Sequence, residues 1–258
     1  MESRCPSCDS PADESAAFCP HCGKPTGFVE PLGLPLAATQ GPRLKGLGTA
    51  SWEEMKQVLV FYAILLGCSL FFGLLEWAHP GPQAEIYDAA VFILIVMAYL
   101  VRNWRDVSRV FRFRKPKSKR LAELAVVCAV VYFFLQGYFW AVEHLGVPMM
   151  NYTEDYTKAH WPLWGMLALV SLEPGVFEEI AFRGILQTKL SHILSVREAL
   201  IIQAALFSIL HLSPGIFVSH FVMGLLLGWV RLRTGHLYFG MLLHMAWNAM
   251  VILKELGY

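Results

Sequence analysis

Seven apolar runs constrain this chain more than anything else in it. They cover roughly 57–76, 87–103, 121–142, 161–186, 197–212, 216–230 and 236–253. A helix crosses a bilayer with about 20 apolar residues; most of the runs reach that length, while 197–212 and 216–230 are short. With 56% hydrophobic and only 16% charged residues and a mean hydropathy of +0.48, residues 51–258 read as an all-α polytopic membrane protein of about seven transmembrane helices. The net charge of +1 gives no reason to expect a nucleic-acid partner. The first residues, MESRCPSCDS, lack the basic and apolar regions of a signal peptide.

Orientation follows from the loops. Arg102, Arg105, Arg109, Arg112, Arg114, Lys115, Lys117, Lys119 and Arg120 stand against a single Asp106, and basic loops stay in the cytoplasm. Counting back two spans puts the N-terminus on the same side. Counting forward puts the loop 143–160 and the C-terminus outside, with Arg183–Lys189, Arg231 and Arg233 inside.

The six cysteines fall into two groups. Cys68 and Cys128 sit singly in apolar runs and read as small core residues. Cys5-x2-Cys8 and Cys19-x2-Cys22, with Gly23 and Pro25 behind them, bring four thiolates to the corners of a tetrahedron, which suits Zn²⁺. A module this small buries too little core to fold alone, so a structural zinc would supply its folding energy. Residues 1–25 resemble the small zinc-ribbon modules at the ends of many prokaryotic proteins; a redox dithiol pair is the competing reading. Intact thiolates require a reducing compartment, so this argument also places the N-terminus in the cytoplasm. Residues 26–50, rich in Gly and Pro, read as a linker.

The later spans carry polar groups that lipid does not tolerate cheaply. LEPGVFEEIAFRGILQ (172–187) holds Glu173, Glu178, Glu179 and Arg183. On a helix Glu179 and Arg183 are spaced for an ion pair, acid before base. Glu178 lies about 100° round the axis, which leaves its carboxylate free for chemistry. Phe207-x3-His211 lies in the fifth run and His244-x3-Asn248 in the seventh, with His220, Gln187 and Gln203 as scattered further candidates. Together these supply a carboxylate base, imidazoles to orient water or bind metal, and an amide to hold an oxyanion. Glu178 is five residues from Arg183, about 8 Å along a helix, and His244 is eight from His236, about 12 Å. These spacings predict a cluster at similar depth in the cytoplasmic half. His211 joins it if the short fifth helix tilts and ends in a buried turn at Ser213-Pro214-Gly215.

Glu178-Glu179-x3-Arg183, Phe207-x3-His211 and His244-x3-Asn248, in this order and each on its own late helix, resemble the motifs of the CAAX protease and bacteriocin-processing (CPBP or Abi) family, which includes the type II CAAX prenyl endopeptidases. The likeness covers roughly 160–253. It implies an intramembrane endopeptidase acting on a membrane protein or peptide. Glu178 would activate water with His211, His244 and Asn248 would stabilise the oxyanion, and Glu179 with Arg183 would hold the helix. The family is commonly labelled metalloprotease, and His211, His244 and Glu178 could form an open zinc site, although no HExxH is present. A multi-pass protein of a prokaryotic plasma membrane is implied, with the ribbon in the cytoplasm and free to recruit a protein partner. Two rivals stay open. One is a non-catalytic scaffold or bacteriocin-immunity protein of the same fold, which would need none of the motif positions. The other is a proton-coupled transporter, for which no internal repeat is visible.

Overall fold

In the computed structural model the described residues are Arg4 and 49–258, apart from 80, 114, 147–150 and 152. The chain divides into two units, Met1–Arg43 and Leu44–Tyr258. Cys5, Cys8, Cys19, Cys22 and the 26–48 part of the linker lie outside the described residues. The second unit is built from helices, with no strand among its described residues.

Seven long helices run up and down. They are α1 (Thr49–Ala78), α2 (Pro82–Arg102), α3 (Ser118–His144), α4 (163–193), α5 (Val196–Leu210), α6 (Phe217–Thr234) and α7 (Tyr238–Glu255). By length and composition four helical stretches can each cross a bilayer: Trp52–Ala78, Pro82–Arg102, Ser118–His144 and Pro214–Thr234. Of the remaining three, α4 carries the charged stretch, and α5 and α7 are only 15 and 18 residues long. Helix α4 continues to Ile193, beyond the apolar run that ends at 186.

The exterior is what lipid would select. Trp77, Phe133, Leu74 and Trp140 are all more than 60% exposed on α1 and α3. The buried side chains include Glu179, Arg183, Gln187, Gln203 and His244. Where lipid is as apolar as leucine, association rests on close packing and polar contacts between helices. Gly224 and Gly228, one turn apart on α6, provide both. A methyl on Gly224 would sit 2.8 Å from the Ala204 Cα of α5, so the two backbones touch there. The bared carbonyl of Gly224 accepts from Gln203 Nε2 at 2.8 Å, and that of Gly228 accepts from Gln187 Nε2 at 3.3 Å.

The end of the bundle that carries the basic loop is clamped. Lys189, 3% exposed, donates to Glu54 (3.0 Å) and Asp106 (3.4 Å). Arg233 pairs with Glu123, and Arg231 donates to Thr188 Oγ1 at 2.6 Å. The basic loop is itself ordered into short turns, Trp104–Val107 and Ser108–Phe111, because Val107 and Val110 insert into the core.

Gly224→Ala should force α5 and α6 apart and cost about 1–3 kcal/mol, read as a lower thermal unfolding temperature in detergent. Gly215→Ala, with open space around its added methyl, is the matched control and should unfold where the parent does.

Candidate active site

Helix α4 is irregular where its chemistry lies. Its turns widen to π geometry over Leu167–Leu172 and again over Glu179–Leu186, a distortion that often marks functional sites. Pro174 sits between the two wide stretches and has no N–H to give to the Val170 carbonyl one turn earlier. That carbonyl accepts instead from Asn248 Nδ2 of α7 at 3.0 Å. The proline thus frees the acceptor that anchors the asparagine, and the amide's second N–H remains for another acceptor. Helices α4 and α7 come close enough for this because a methyl on Gly175 would lie 3.1 Å from the Met245 backbone nitrogen. Ser171 Oγ also donates to the Met245 carbonyl at 2.8 Å.

The adjacent glutamates take different roles. Glu179, 1% exposed, accepts from Arg183 Nη1 at 2.8 Å, and Arg183 is fully buried. The guanidinium also lies 4.3 Å over the Phe207 ring and donates to the Gly224 carbonyl at 3.4 Å. His244 Nδ1 lies 3.2 Å from the same Glu179 oxygen. Since an ionised carboxylate only accepts, Nδ1 carries the proton. His244 Nε2 then faces Glu178, whose Oε2 is 3.7 Å away. That Glu178 oxygen is buried and has no hydrogen-bond partner in the protein.

His211 follows the last residue of α5 and donates Nδ1–H to the Phe207 carbonyl at 2.9 Å, which leaves its Nε2 lone pair bare. The next residue, Leu212, is left-handed (φ 52°) and turns the chain into the short helix Pro214–Ile216 ahead of α6. His220 repeats the arrangement: its Nδ1 donates to the Ile216 carbonyl at 3.0 Å, and its ring lies 4.0 Å from that of His211.

Glu178, His211, His220, His244 and Asn248 all line one cavity of about 1690 Å³; Glu179 and Arg183 do not line it. From Ile193 back to Glu178 is 15 residues, about 22 Å at ~1.5 Å per residue. Among the described residues, no three His, Cys, Asp or Glu side chains converge as ligands for an ion. His244 commits one nitrogen to Glu179, and His211 faces His220 rather than the glutamates. As arranged, His211, His244 and Glu178 do not make a zinc site.

Four residues outside the three motifs matter here. His220 was one scattered polar residue among several in the sequence. Pro174, Gly175 and Gly224 act through backbone contacts that no linear spacing shows.

Residues 160–250 match the family described as type II CAAX prenyl endopeptidase Rce1-like, and residues 2–26 match a zinc-ribbon domain. No curated protein and no solved structure matches the chain.

Arg183→Met should cost about 3–5 kcal/mol, because it leaves the buried Glu179 without its counter-charge, with only the His244 N–H against it. Adding Glu179→Met should return part of that loss, a non-additivity measurable by thermal unfolding of the single and double variants.

Proposed function

We propose that this chain, whose segment 160–250 matches the Rce1-like family of type II CAAX prenyl endopeptidases, is an intramembrane protease that uses Glu178 as its base. The observation that carries this reading is the division between the paired glutamates. Arg183 and His244 both engage Glu179 Oε1, and Glu179 does not line the cavity, whereas Glu178 lines it with a buried Oε2 that no protein group hydrogen-bonds.

The side chains define the steps. Water in the cavity donates to the Glu178 carboxylate and to the bare Nε2 of His211, both acceptors. Its oxygen attacks the peptide carbonyl while its proton passes to Glu178, which then delivers the proton to the departing amine. The developing oxyanion takes the remaining N–H of Asn248. His244 contributes as a donor only when Nε2 is also protonated, since Nδ1–H is already given to Glu179.

The substrate is a peptide bond of a membrane protein or membrane-associated peptide. Cys5, Cys8, Cys19 and Cys22 of the zinc-ribbon domain hold a structural Zn²⁺ by the chemistry of four thiolates, and the ribbon serves to recruit a protein partner from the cytoplasm. The non-catalytic scaffold gains no support from the geometry, because packing does not require an unsatisfied carboxylate facing a cavity.

Cleavage of a peptide library by the purified protein in detergent tests the reading. Glu178→Gln should lower kcat by at least about 10²-fold without lowering the unfolding temperature. Cleavage by Glu178→Gln at the parent's rate, or none by the folded parent, would overturn the assignment. Pro174→Ala restores an N–H that competes for the Val170 carbonyl, so kcat should fall while KM is held.

A further inference from the structure

The route into the cavity follows from which ends of the helices line it. The elements joined by the basic loop define one end of the bundle: Arg102 closes α2, Ser118 opens α3, Ile193 closes the α4 helix, and Tyr238 opens α7. Contacts fix these termini at one level. Lys189 reaches Glu54 and Asp106, Tyr238 donates to the Phe111 carbonyl at 2.8 Å, and Leu237 N–H donates to the Val110 carbonyl at 3.0 Å. The opposite end is fixed as firmly. Thr153 N–H donates to Glu255 at 3.0 Å, and Tyr156 packs with Met166 and Ile252.

Every helix contributes to the cavity from its part nearer this second end. The lining runs from Ser69 to Glu76 on α1, Ala84 to Phe92 on α2, Tyr132 to Glu143 on α3 and Leu169 to Glu178 on α4. On α7 it runs from His244 out to Glu255 and Tyr258. No residue of the segment 93–131 lines it, nor any residue between 179 and 206 or between 224 and 243. Glu178 and His244 therefore form the floor of the chamber, and exposed Glu143 and Asn151 belong to its mouth.

The two ends also differ in charge. Arg102, Arg105, Arg109, Arg112, Lys115 and Lys117 crowd the first end, all exposed. The described loops at the second end hold Lys158, which is paired with Glu154 at 2.7 Å. Basic loops remain on the cytoplasmic side, so the clamped end is cytoplasmic and the open end is not.

We infer that this protease is loaded from the extracytoplasmic side: its substrate is a peptide segment exposed outside the membrane, on an exported or membrane-anchored chain, that descends through the mouth at Glu143 to Glu178. The inference rests on the peptidase reading above, and its test separates the two.

The test uses the full-length protein with Cys68 and Cys128 replaced by alanine as parent, carrying either Glu143→Cys or Lys117→Cys. Right-side-out and inverted membrane vesicles are treated with a bulky, membrane-impermeant maleimide, and labelling is counted above the parent's. Glu143→Cys should label in right-side-out vesicles and Lys117→Cys in inverted ones. The labelled Glu143→Cys protein, extracted into detergent, should cleave its peptide at least about tenfold more slowly than unlabelled protein; labelled Lys117→Cys should cleave as before. Labelling of Glu143→Cys only in inverted vesicles would overturn the inference. So would full activity after Glu143→Cys is labelled, since the mouth would then not be the route. Labelling on the expected sides with no cleavage by unlabelled protein, or with Glu178→Gln as active as the parent, would overturn the peptidase reading and the substrate inference with it. In that case the orientation of the cavity would still stand.

Discussion

One buried ion pair organises the second half of this chain. Glu179 and Arg183 lie one turn apart on α4 at 1% and 0% exposure, where an unpaired charge would cost several kcal/mol. Pairing alone does not satisfy a guanidinium with five N–H donors, and neighbouring helices add further contacts, although Nε is left without a protein acceptor. α6 offers the carbonyl of Gly224, exposed by the missing side chain, and α5 offers the face of Phe207. α7 brings His244 to the other side of the carboxylate and, at Gly240, leaves room for it, since a methyl there would fall 2.8 Å from Glu179 Oε2. Four helices are thus held by the requirements of a single pair. The small residues on α6 and α7 are consequences of that requirement as much as of helix packing.

The same pair sets up the chemistry proposed above. By fixing Nδ1 of His244, Glu179 decides which nitrogen faces Glu178, and so turns a structural contact into a choice of tautomer. Pro174 does comparable work on the backbone, because the hydrogen bond it cannot make within α4 is made by Asn248 across to α7. Both are local departures from helix rules that gain their purpose from a neighbouring helix, as expected where function competes with ideal geometry.

The apolar runs set out the helices almost to their ends, because lipid-facing hydrophobicity is a local property of sequence. The end of α4 was missed because residues 187–193 are polar and helical at once: Lys189 is held by Glu54 and Asp106 from other elements. Motif spacing alone pairs Glu179 with Arg183, the pair the structure forms, even though the turns there are wider than α. The close approach of the His211 and His220 rings was out of reach, since it depends on a left-handed Leu212 and a reversal between two short helices. Carbonyl acceptors carry no residue signature of their own, so the contacts at Val170, Gly224 and Gly228 could not be read from side-chain types.

The asymmetry of the bundle follows from where its charges are satisfied. At one end, lysine and arginine side chains lie between helices and are matched by Glu54, Asp106, Glu123 and Thr188, which closes that end with polar contacts. At the other, Glu76, Glu85, Asp88 and Glu173 line the open chamber together with Lys254. Their polar groups line a wide entrance above an apolar wall. On the proposed reading, a chamber that admits both water and a peptide needs such an opening and a closed floor. The Arg183 cluster and the clamped end beyond it lie outside the chamber's lining and stand where that floor would be, so on that reading fold and activity depend on the same few side chains.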